Sequence, residues 1–99
     1  MTIQKKTDGT SLCIALEGRL DTTTAPQLEN ELSGALKGME ELTVDLAKLD
    51  YISSAGLRVL LSAQKTMNRQ GTMKVIHVKP EIMDIFEVTG FVDILDIEA

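Results

Sequence analysis

The chain has 99 residues, 43% of them hydrophobic and 25% charged, which fits one folded domain with a single core and is far from a disordered composition. Fifteen acids against ten bases give a formal charge of −5, and no stretch gathers Lys or Arg, so a phosphate-backbone partner finds no basic footprint and nucleic acid is not expected. The opening "MTIQKKTDG" lacks an apolar leader core, and no window nears the ~18 consecutive apolar residues of a membrane span, which predicts a cytoplasmic protein without direct membrane insertion.

Residues 2 to 8 read as an edge strand. Asp8-Gly9 supplies a turn into a better strand, Ser11 to Glu17, so the chain is expected to open on a hairpin. The lone cysteine, Cys13, stands between Leu12 and Ile14. It has no partner for an internal disulfide and is expected to be a buried strand thiol.

Thr24-Ala25-Pro26-Gln27 combines a capping-box pattern with proline at the first helical position, which predicts a helix from about Ala25. Ala25, Leu28, Leu32, Ala35 and Leu36 fall on one helical face, and Gly38 stops the helix. Leu42, Val44 and Leu46 alternate with Thr43 and Asp45 as a central strand. "AKLDYIS" then reads as a loop, and Leu57, Leu60, Leu61 and Met67 mark a second helix ending at Gln70-Gly71, with Ser53 or Ser54 as its N-cap. "MKVIHV" follows as a strand, Pro80 opens a third helix that Gly90 closes, and Val92 to Ile97 reads as a last short strand. The order ββαβαβαβ predicts an α/β fold, one unit over residues 1–99, with a mixed, mostly parallel sheet.

Catalytic patterns are weak. "ISSAG" lacks the first glycine of a hydrolase elbow, so neither Ser53 nor Ser54 has an oxyanion motif, and His77 lies mid-strand in "KVIHVKP" with no acid beside it in sequence. No Cys or His pair has metal-ligand spacing and no Gly-rich phosphate loop exists, so no cofactor and no metal are expected. What remains is "DYISSAGLR", between the central strand and the second helix. In an α/β sheet such loops form the functional rim, although serine there is equally a helix cap.

"YISSAGLRVLL" resembles the signature of the STAS domain family, typified by bacterial anti-sigma factor antagonists, and "GRLDTTTAPQLENEL" resembles the family's second strand, Asp-containing loop and first helix. The predicted element order is similar too. Setting Gly56-Leu57 on the family's Gly-Leu places Ser54 at the serine that is phosphorylated. Ser53 then stands where aspartate is usual, Ala55 replaces a second hydroxyl residue, and Arg58 occupies a position that is often glycine.

The resemblance implies a non-enzymatic switch in transcription regulation. Unphosphorylated, it would bind an anti-sigma factor that is also a serine kinase of histidine-kinase-like ATP fold. Phosphorylation of Ser54 would release it, and a PP2C-type phosphatase would restore it. Asp21 and Thr22 resemble the acidic loop that contacts the partner, Ser53 flanks the acceptor, and small Ala55 and Gly56 would let a kinase approach the backbone. Arg58, four residues beyond Ser54, has the spacing to reach a phosphate there. A second reading of the same fold is a non-phosphorylated subunit docking on a transporter ATPase.

Overall fold

The computed structural model describes all of residues 1–99. Strands β1 (Thr2–Asp8) and β2 (Ser11–Leu20) form the expected hairpin, followed by α1 (Ala25–Ala35), β3 (Glu41–Ile52), α2 (Ser54–Gln70), β4 (Thr72–Ile76) and α3 (Pro80–Thr89). The sheet order is β1-β2-β3-β4, with β1 antiparallel to β2 and the other pairs parallel. The expected α/β class and mixed sheet are therefore present. Gly9, at φ 62°, takes the left-handed conformation that the tight hairpin turn demands.

Alternation in the strands decides which face the helices cover. Leu12, Ile14 and Leu16 of β2, Leu42, Val44 and Leu46 of β3, and Met73 and Val75 of β4 are buried, while Cys13, Ala15, Thr43 and Asp45 between them are only half-buried. One core of 24 buried residues sits between the first face and the three helices, with Leu28, Leu32, Leu60, Met67, Ile82 and Phe86 as the helical contribution. Each such aliphatic or aromatic side chain contributes about 1.5–3 kcal/mol by leaving water. Cys13 is thus not the buried thiol expected: as an odd-numbered residue of β2 it points to the helix-free side.

Three segments differ from the sequence reading. "AKLDYIS" is not a loop, because β3 continues through Ile52. Register shifts between Ala15 and Glu17 and between Gly18 and Arg19 re-aim the paired strands, so the buried positions run Leu46, Leu49, Ile52 at intervals of three rather than two. A bulge erases the alternation by which a strand is read.

The last strand, Val92 to Ile97, is absent as well. Phe91–Asp93 forms a 3-10 turn after the left-handed Gly90, and only Ile97 bridges to Val75 of β4. Finally, β4 ends at Ile76, so His77 is not mid-strand. It adopts φ 56°, and its Nδ1 lies 3.0 Å from Asp45 Oδ1, an acid supplied by the neighbouring strand that the linear sequence hid.

Candidate functional site at the rim of β2 and β3

The parallel pairing of β2 and β3 brings Leu20 beside Ile52, and Ser53 N–H donates to Leu20 O at 2.9 Å. The two segments singled out in sequence, Asp21-Thr22 and Ser53 to Arg58, therefore meet at one end of the sheet. Ser53 is the residue before α2, extended at φ −101° and ψ 176°, and Ser54 is the first residue of the helix.

The two serines differ. Ser54 is exposed and its hydroxyl has no hydrogen bond. Ser53 Oγ is buried without a partner and makes no capping bond, although its backbone O accepts Leu57 N–H at 2.9 Å. Capping by the Ser53 side chain, expected from sequence, is thus corrected: the residue is in place but its hydroxyl bonds none of the helix N–H groups. Ser53→Ala should accordingly leave stability within about 0.5 kcal/mol or raise it, since an unsatisfied buried hydroxyl is removed. A urea midpoint showing the ~1 kcal/mol loss of a working cap would contradict this.

Gly56 is buried in the first turn of α2, where an added Cβ would lie 2.6 Å from Leu20 Cγ and 2.9 Å from Ile52 Cγ1. The absent side chain is what lets the helix start close against the ends of β2 and β3, so Gly56 serves internal packing here. Leu57 is likewise core, at 6% exposure. Ala55 is half-buried and Arg58 is exposed with no ion pair. No acid occupies the first turn of α2, and its first N–H groups have no intrahelical acceptor, so the rim presents the positive pole of a helix of 17 residues.

Asp21 organises the facing loop. Its Oδ1 accepts Thr23 N–H at 3.0 Å, Thr24 N–H at 3.1 Å and the Thr24 hydroxyl at 3.1 Å. Thr24 makes no cap bond to Gln27 N–H; its Oγ1 donates to Arg19 O and accepts Asp21 N–H, both at 2.8 Å. The capping box is therefore replaced by an Asp21-centred turn, because a turn precedes α1 and the first free N–H groups are those of Thr23 and Thr24.

These bonds hold the Asp21 carboxyl below its ordinary value of 3.8: the Thr24 backbone bond acts most strongly, desolvation opposes it next, and the Thr24 hydroxyl, Thr23 N–H and Arg19 add to the lowering. A depressed folded pKa stabilises the fold above the unfolded value and loses that contribution as pH falls through the folded one. Asp21→Asn should therefore lower the urea midpoint at neutral pH, and the gap to the parent should close below about pH 3.8. A gap independent of pH would exclude the carboxylate as its source.

Between the loop and the helix lies a groove of about 380 Å³ lined by Thr22, Pro26, Glu29, Ala55, Arg58 and Ser62. Thr22, Ala55 and Arg58 were named from sequence; Pro26, Glu29 and Ser62 were not, because the packing of α1 on α2 brings them there. Arg19 and Tyr51 were missed as well. They pair across β2 and β3, and the guanidinium sits 4.2 Å from the Tyr51 ring centroid, a contact that only the bulged register reveals. Lys79 Nζ closes the rim by donating to Asp50 Oδ1 at 2.8 Å.

The family model described as "Mlab, STAS domain" matches residues 3–96. The chain belongs to the STAS domain family. BtrV of Bordetella bronchiseptica, which carries the name of an anti-sigma factor antagonist, is 40% identical to this STAS domain over 94 residues, covering 93% of the chain and 80% of the relative. The anti-sigma-B factor antagonist of Bacillus subtilis is 26% identical over 100 residues, covering 100% and 92% respectively. Among solved structures, the Bacillus cell-fate determinant SpoIIAA in its phosphorylated form superposes with a TM-score of 0.77 at 18% identity, covering 99% of this STAS domain and 91% of that chain, which shows a shared fold. No helix of this STAS domain is long and apolar enough to cross a membrane.

Proposed function

We propose that this STAS domain is an anti-sigma factor antagonist that works by partner switching, with Ser54 as its phosphoacceptor. The observation that carries the reading is the contrast between the serines: Ser54 is exposed and unbonded at the start of α2, while Ser53 Oγ is buried. Likeness to BtrV and to the anti-sigma-B factor antagonist supports the assignment. Unphosphorylated, the rim of Asp21, Thr22, Ser53, Ala55, Gly56 and Arg58 docks on an anti-sigma factor that is also a serine kinase of histidine-kinase-like ATP fold, and sigma factor is released. The domain is the kinase's substrate and performs no chemistry itself.

The physics of the site suits a switch that spares its own fold. A phosphate on Ser54 adds about −1.5 to −2 charges beside first-turn N–H groups and the positive helix pole, which is stabilising by about 0.3–1 kcal/mol. Arg58, unpaired on the following turn, adds a cation within reach. At a closed interface the same group must be desolvated against the partner, so binding is lost while the domain remains folded. A PP2C-type phosphatase returns the hydroxyl.

The test is phosphosite mapping after incubation with the cognate kinase and ATP. Incorporation confined to Ser54, and abolished in Ser54→Ala, is the expected result. Unchanged incorporation in Ser54→Ala would overturn the assignment. Copurification with a transporter ATPase, and no phosphoform in protein from its own cells, would instead favour the docking-subunit reading.

A further inference from the structure

The negative charge of the chain is not evenly spread. Residues 80–99 hold six of the fifteen acids and none of the ten bases, so the rest of the molecule is close to neutral. Of those six carboxylates only Glu98 lies near a cation, Lys74 Nζ at 3.4 Å. The same segment carries three of the four large hydrophobic side chains that the fold leaves exposed: Val88 at 88%, Ile94 at 45% and Val92 at 39%.

This arrangement costs the fold stability. Val88 is β-branched and solvated near the end of α3, where a polar straight-chain residue would suit the helix better. Glu87 and the lack of any basic residue in the last turn leave the negative helix pole uncompensated. The segment is nevertheless tied to the sheet: Gly90 caps α3 in the left-handed conformation, and Val75 exchanges two 2.8 Å backbone hydrogen bonds with the tail, from its N–H to Asp96 O and from Glu98 N–H to its own O.

We infer that the α3 C-terminal patch of Val88, Val92 and Ile94, ringed by Asp84, Glu87 and Asp93, is a second docking surface, for a basic amphipathic helix of a partner protein. Charge complementarity selects that occupant. A second copy docked face to face would oppose these carboxylates with their own copies, and although α2 carries exposed Arg58, Lys65 and Arg69 with no acid, its apolar side is buried in its own core and cannot cover the valines. Anionic lipid and nucleic acid are repelled by the same field. An apolar stripe with Lys or Arg beside it covers the valines and answers the carboxylates together.

The surface is distinct from the Ser54 rim. Lys79, which precedes α3, is bonded at that rim, and the helix of 10 residues then runs about 15 Å away from it at 1.5 Å per residue. Docking here is therefore independent of phosphorylation and does not rest on the role assigned to Ser54.

The experiment is an NMR titration of the isotope-labelled full chain with an amphipathic Leu/Lys peptide, with a Leu/Glu peptide of the same pattern as control. Saturable shifts confined to residues 84–96 are expected, with affinity about tenfold weaker in the charge-neutral double variant Val88→Ser, Val92→Ser, similarly weaker in Asp84→Asn, Glu87→Gln, and unchanged in Ser54→Asp. All substituted residues are exposed, so the fold is retained. Shifts scattered over carboxylates elsewhere, an unaltered affinity in the valine variant, equal binding of the Leu/Glu peptide, binding of anionic vesicles through this patch, or concentration-dependent shifts of the patch without peptide would each overturn the proposal.

Discussion

Ser54→Asp is expected to weaken binding to the anti-sigma partner roughly hundredfold, about 2.8 kcal/mol, while leaving the thermal midpoint of the isolated domain unchanged or slightly raised. The two effects have one cause read in two environments. In the free domain the carboxylate sits at the start of α2, where no acid is present and the helix pole is positive. Against a partner it must shed water at a contact shaped for a neutral hydroxyl, and a desolvated charge there costs several kcal/mol. Isothermal titration against the purified kinase, with differential scanning calorimetry of the free protein, measures both. An affinity within a few-fold of the parent would mean that Ser54 lies outside the contact. A large fall in the midpoint would mean that charge acts by unfolding the rim rather than by blocking a docked state.

Gly71→Ala is expected to be far more damaging to the fold than its position at a helix end suggests. Gly71 is extended, at φ 170°, so the reason is proximity rather than backbone handedness. A Cβ there would fall 1.8 Å from Glu40 O and 2.6 Å from Glu40 C, which are backbone atoms that cannot swing aside. Glu40 is pinned on every side: its N–H donates to Thr10 O at 2.8 Å, its O accepts Thr72 N–H at 2.9 Å, and Gln70 Nε2 holds Leu36 O and Met39 O just before it, each at 2.6 Å. Relief requires separating the start of β4 from the start of β3. A loss of about 3 kcal/mol and a fall in the thermal midpoint on the order of 15 °C are expected. A fall of only a degree or two would show that the two turns can part at little cost.

The Gly71 contact illustrates a division that runs through the molecule. Gln70-Gly71 is legible in sequence as the stop of α2, because glycine after an apolar periodic run ends helices for local reasons. That Gly71 must also admit the backbone of Glu40 is a long-range fact with no local trace. Gly56 is the same case: the sequence offers either a flexible turn or a place for a kinase to approach, and the structure fills the space with Leu20 and Ile52 of its own core.

The candidate site was legible to the extent that it lies in contiguous motifs. Ser54, Ala55, Arg58 and the Asp21-Thr22 loop could be named because helix starts and turns carry local chemistry, and family resemblance singled out one serine of two. Arg19, Tyr51 and the Asp50–Lys79 pair could not be named, because each depends on which strands are neighbours and in what register. His77 was misplaced for the same reason: Asp45, its hydrogen-bond partner, lies on an adjacent strand.

By itself, then, the sequence determined what short-range physics can write: the hairpin turn, three amphipathic helices with their stops, the alternating cores of the strands, and the position of Ser54 at a helix start. Tertiary structure decided the rest. Extra residues bulged out of β3 let it stay paired with β2 as far as Ile52 where alternation had ended, the chain after Gly90 turned as a 3-10 helix rather than adding a full strand, and Cys13 fell on the face no helix covers. It also separated the two serines, burying one hydroxyl and leaving the other free, because only the pairing of β2 with β3 sets how the chain enters α2.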